Sequence, residues 1–159
     1  MKGRNISWIL WALAIIVCQQ VATVGQLSNR EQAIAFAVYL ETHASRLEKR
    51  ADVCVAFGHG LSADEKAVLA ELKQQKLKVR PGDWCNEGPR GLVISVIAPI
   101  SEPVPGTYEV KVEVGDLRAI RGGAEHFATL VRRGTYTVKC KEGSEPELIR
   151  YEQTAQPGR

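Results

Sequence analysis

Residues 108–114, Tyr-Glu-Val-Lys-Val-Glu-Val, decide the fold. Tyr108, Val110, Val112 and Val114 alternate strictly with Glu109, Lys111 and Glu113, the period of a strand with one face in a core and the other in water. Upstream, Leu92-Val-Ile-Ser-Val-Ile-Ala98 is almost continuously apolar. Such a run suits a strand covered on both faces, and Pro99, Pro103 and Pro105 are expected to end it. Downstream, the segment from His126 to Cys140 carries Phe127, Leu130, Val131, Tyr136 and Val138, with Gly134 expected as a bulge or break. Leu148 to Tyr151 is expected to close the sheet.

Ahead of these strands the period changes. Ser28-Asn-Arg-Glu31 is a capping box, so a helix is expected from there to about Leu47. Its apolar positions, among them Ile34, Phe36, Val38 and Leu40, surround most of the circumference, which predicts a heavily covered helix. Asp52 to Phe57 reads as a short strand. Ser62-Ala-Asp-Glu65 is a second capping box, predicting a helix to about Gln75 with Val68, Leu69 and Leu72 on its buried stripe, and a β segment follows at Lys76 to Arg80. Helices first and adjacent strands afterwards give an α+β class: an N-terminal helix and a second helix packed on a curved, mainly antiparallel sheet.

The chain has 159 residues and its first 25 read as an export signal: Lys2 and Arg4, an apolar run from Ile6 to Cys18, then a short segment to Gly25. Cleavage would leave Gln26 first; retention would make residues 1–25 an N-terminal anchor. Residues 26–151 then form one domain facing a secreted or periplasmic space, and 152–159 a frayed tail. Removing the signal leaves 19 basic against 18 acidic residues, a balance with no electrostatic case for nucleic acid, and a membrane partner is expected only if the anchor is kept.

Three cysteines remain in the exported part. Cys54 shares a strand face with Ala56 and reads as a small core residue, while Cys85 and Cys140 are the expected disulfide. Gly58-His-Gly-Leu-Ser-Ala63 fits G-x-G-x-x-A after a strand and before a helix, the position of a dinucleotide fingerprint, but an acidic ribose partner is missing after Lys76 to Arg80. The plainer reading is a glycine-rich turn feeding a capped helix. Cys85 with His126 is the alternative nucleophilic pair. No local pair of metal ligands appears, and no cofactor or metal is expected. Arg118, Arg121, Arg132 and Arg133 with His126 and Trp84 could form a binding rim for a carboxylate, phosphate or partner protein, or else a solvated basic turn.

With Pro81-Gly-Asp-Trp-Cys85 and the closing hairpin from Gly134 to Gly143 placed, residues 50–151 resemble small exported bacterial proteins with an NTF2-like or cystatin-like cone of helix wrapped by sheet. That resemblance implies a pocket-forming scaffold whose members include enzymes, ligand binders and accessories. The Asp–His pair of its enzymatic members carries over to no residue here. The expected function is a non-catalytic extracytoplasmic binding or interaction domain for an unknown protein or small anionic ligand. The alternative is a small exported enzyme or nucleotide binder using Gly58–Ala63 or Cys85.

Overall fold

The computed structural model describes residues 27–46, 53–82, 92–116 and 129–154. The expected signal, the Trp84–Cys85 loop and the Arg118–His126 connection lie outside them. Eight elements follow in chain order: α1 Asn29–Ala44, β1 Val53–Phe57, α2 Glu65–Gln74, β2 Val79–Pro81, β3 Leu92–Val104, β4 Thr107–Asp116, β5 Thr129–Lys139 and β6 Glu147–Thr154. One six-stranded sheet runs in the order β2-β1-β3-β4-β5-β6.

The sheet is open and largely antiparallel, as the sequence predicts, but it is mixed. β1 lies between β2 and β3 and runs parallel to both, while β3 to β6 form an antiparallel meander. Parallel neighbours need a crossover, and α2 supplies it between β1 and β2. Both helices pack on one face. Ile34 and Val38 of α1 and Val68 and Leu72 of α2 meet Val55, Ile94, Val96, Val110, Val112, Val114 and Val138 in a single core. On the opposite face Cys54 and Val93 form a smaller cluster with Ala56. The residues from Val93 to Val96 are therefore buried on both faces, which accounts for that apolar run.

Four local expectations are corrected. The cap of α2 is Asp64 and not Ser62: the Asp64 carboxylate accepts from the amides of Lys66 and Ala67. β3 does not stop at Pro99. Its pairing with β1 ends at Val96, so the missing N–H groups of Pro99 and Pro103 interrupt no ladder on that side, and the strand continues with shifted register against β4. Gly134 sits in regular pairing with Val112, and its lack of a side chain makes room for Tyr151: a Cβ built there would stand 2.5 Å from Tyr151 Cε2. The irregularity of β5 lies instead where Val114 and Gly115 pair with Arg132 and Leu130. Finally, Glu152, Gln153 and Thr154, expected in a frayed tail, pair with β5.

The expected Cys85–Cys140 disulfide is also overturned. Cys140 follows β5 as a buried free thiol, so the expected pair does not form, and the described cysteine that is disulfide-bonded is Cys54 on β1. Burial pushes that thiol above its ordinary range, which lowers its reactivity.

Candidate functional site

The strongest concentration of polar chemistry in the described residues is a cluster beneath the C-terminal end of α1. Glu41 sits on the buried stripe of that helix and is fully buried. A carboxylate there survives only if its oxygens are paired. Oε1 accepts from Ser45 Oγ at 2.5 Å and lies 3.3 Å from Arg132 Nε; Oε2 accepts from the hydroxyl of Tyr136 on β5. Arg132 also donates to the hydroxyl of Tyr151 on β6, from Nε at 3.0 Å and Nη2 at 2.7 Å, and its guanidinium lies 5.2 Å from that ring's centroid. The rings of Tyr136 and Tyr151 stand 4.8 Å apart.

Burial, followed by the hydrogen bond to Glu41 and its negative charge, holds the Tyr136 phenol well above its ordinary range. Burial pulls Arg132 down, but its bond to Tyr151 and the Glu41 charge outweigh that and leave it raised. Among the described residues no buried side-chain nitrogen or oxygen lacks a partner. Both oxygens of Glu41 are engaged and enclosed. The arrangement therefore pins a helix to two strands and offers no free proton acceptor to a substrate.

The expected arginine rim is only partly described. Arg132 and Arg133 are adjacent on β5, so they point to opposite faces. Arg132 turns inward to Glu41, whereas Arg133 pairs with Glu113 on the other side of the sheet. These two do not act together on one ligand. Trp84, Cys85, Arg118, Arg121 and His126 lie outside the described residues.

Gly58 to Ala63 does lie between β1 and α2, the context a dinucleotide fingerprint requires. Gly58 packs tightly against β3, where an added Cβ would lie 3.1 Å from the Val96 carbonyl oxygen, and Gly60 has a φ of +82°. The helix N-terminus beyond them already has two anions of its own. Asp64 accepts from two first-turn amides, and Glu31 of α1 reaches across to accept from the Asp64 N–H at 2.8 Å. Burial raises the Glu31 carboxyl, but bonds from the Asp64 and Ser28 amides and the Ser28 hydroxyl outweigh it and hold it below its ordinary range. Two carboxylates where a pyrophosphate would dock disfavour that ligand by charge as well as by occupancy.

A groove of about 460 Å³ opens elsewhere, between the two helices and the turn that joins β5 to β6. α1 contributes Gln32, Ala35 and Phe36; α2 contributes Ala67, Glu71 and Gln74; Gly143 to Pro146 form the third side. Phe36 and Ala35 give it an apolar floor. Gln32 donates its Nε2 to the Leu27 carbonyl and Gln75 to Glu71. The remaining polar groups are the Gln74 amide and the Ser144 hydroxyl, and the charges among the lining residues are the carboxylates of Glu71 and Glu145. Sequence reasoning did not find this groove, because its three sides are far apart along the chain.

No family model matches the chain, and neither a curated protein nor a solved structure is found to match it. The class rests on the architecture of the described residues: a small α+β domain with two helices on a six-stranded mixed sheet. Among the described residues no helix is long and apolar enough to cross a membrane, and no three His, Cys, Asp or Glu side chains gather as metal ligands.

Proposed function

We propose that this chain is a non-catalytic binding or interaction domain that works outside the cytoplasm. The groove between α1, α2 and the β5–β6 turn is the observation that carries the reading. Its volume falls in the range of small-ligand pockets, and its wall combines an apolar floor with a few convergent polar groups. Glu71 and Glu145 repel an anion, so the favoured occupant is a segment of a partner protein that brings amide or basic donors. Export is supported by the order of charge, apolar run and small residues in positions 1–25. The NTF2-like or cystatin-like resemblance is supported by α1 lying across the antiparallel strands, where α1 packs on β3, β4 and β5. The parallel β2–β1 pair is a departure from an all-antiparallel cone of that kind.

A photo-crosslinking amino acid placed at Ala67 in the groove, with a control at the exposed Lys111 of β4, tests the reading in the extracytoplasmic fraction. The expected result is one discrete protein adduct from position 67 and none from 111. Equal labelling from both positions, or none from 67, overturns the groove as the binding site. Intact mass of the same material reads export independently, with a chain starting near Gln26 expected.

A further inference from the structure

We infer that β6 is a self-pairing edge through which two copies of this chain join their sheets. β6 is hydrogen-bonded only to β5, and no strand among the described residues lies beyond it. Apart from Tyr151 its side chains are exposed, with Leu148 at 40% and Ile149 at 52%. Such an edge is a template for another strand unless the sequence blocks it. Blocking is usually done with charges, lysine above all, with proline or with a bulge. β6 has no lysine or proline, its bulge lies toward its N-terminal end, and its charges alternate in a way that selects a partner.

A two-fold axis perpendicular to the sheet joins identical edges antiparallel and keeps each face on its own side, so the pairing must be centred on a residue. Centred on Arg150, it opposes two arginines; centred on Glu152, two glutamates. Centred on Ile149, it leaves Arg150 against Leu148. Only the register centred on Tyr151 places Arg150 of each copy opposite Glu152 of the other, twice over. Arg150 and Glu152 already pair within one chain, on the face away from the helices, since Tyr151 between them lies beside Tyr136 on the helix face. Two such pairs brought together make a square of alternating charge, and opposite charges across strands attract where like charges repel. The bulge between Arg150 and Leu148 confines close pairing to Arg150, Tyr151 and Glu152, since Gln153 and Thr154 would face Ile149 and Leu148 across the axis.

The interface is small, so the association is weak and concentration-dependent. Sedimentation velocity on the full chain is run up to about 1 mM, where complexes with millimolar dissociation constants become visible. Wild type is expected to dimerise. Arg150→Glu and Glu152→Arg each set like charges opposite at two points, and each should weaken association by about tenfold or more. The double variant Arg150→Glu/Glu152→Arg should restore it. Thermal unfolding of each variant reads folding separately. Hydrogen exchange on wild type at low and high concentration needs no variant, and should show new protection in β6. A monomer at the highest concentration, association that survives both single substitutions (as an apolar contact through residues 6–18 would), failure of the folded double variant to recover, or protection outside β6 each overturns the assignment. The crosslinking test at Ala67 is separate, so either reading can fail without the other.

Discussion

The two ends of α1 are fastened by the same chemical group in opposite surroundings. At the N-terminus, Glu31 is on the surface and accepts from backbone amides: it closes the capping box with Ser28 and ties α1 to the start of α2 through the Asp64 N–H. Toward the C-terminus, Glu41 is sealed in and accepts from side chains of β5 and the helix end. Water can replace lost partners at the first site and cannot at the second. A carboxylate is thus a modest fastening at one end and an indispensable one at the other, and burial, not the number of bonds, makes the difference.

Glu41→Ala is the harshest test. It leaves the Arg132 charge and the Tyr136 hydroxyl partly enclosed without their acceptor, and chemical denaturation is expected to show a loss of about 3–5 kcal/mol. Gly134→Ala attacks the same end from the other side by driving a methyl into Tyr151, with an expected cost of about 1–3 kcal/mol and loss of the near-ultraviolet tyrosine signature of the packed pair. Glu31→Ala is expected to cost about 1 kcal/mol, a capping loss and no more. A cost equal to that of Glu41→Ala would break the comparison.

The smallest effects are in pH dependence, and the two ends lose stability in opposite directions. Because the folded Glu31 carboxyl is held below its ordinary value of 4.5, its contribution is full above that value and disappears as pH falls through the lower folded one. The acid limbs of wild type and Glu31→Ala should converge there. Tyr136 behaves the other way: its folded value lies above 10.0, so the stability it confers is full below pH 10 and is lost as pH rises beyond it. Absorbance titration of phenolate should show Tyr136 ionising only as the protein unfolds. Tyr136→Phe should remove that alkaline loss.

Much of this fold is legible in residue patterns because patterns record which side of an element is covered. The alternation from Tyr108 to Val114 gives β4, and Ser28 with Glu31 gives the start of α1. Patterns do not record which strand is the neighbour, so the placement of β1 between β2 and β3 is invisible in them. The buried cluster had a readable trace. Ile34, Val38, Glu41 and Ser45 follow helical spacing, which puts a carboxylate on an apolar stripe, and Arg132 shares the strand parity of Tyr136 and Val138. What no local pattern could supply is that these traces, some ninety residues apart, answer each other. The loop from Gly58 to Ala63 shows the converse, a motif in its expected place whose anion site is filled by the chain's own Asp64 and Glu31.

The central place of β1 also sets an order of assembly. β3 to β6 each pair with their sequence neighbours and can zip up in order, whereas β1 is made early and needs both β2 and the later β3 before its two edges are covered. A chain emerging from its N-terminus therefore carries β1 as an open strand until residue 96 has followed it. In pulse-labelled refolding, amides of β4 and β5 are expected to become protected before those of β1.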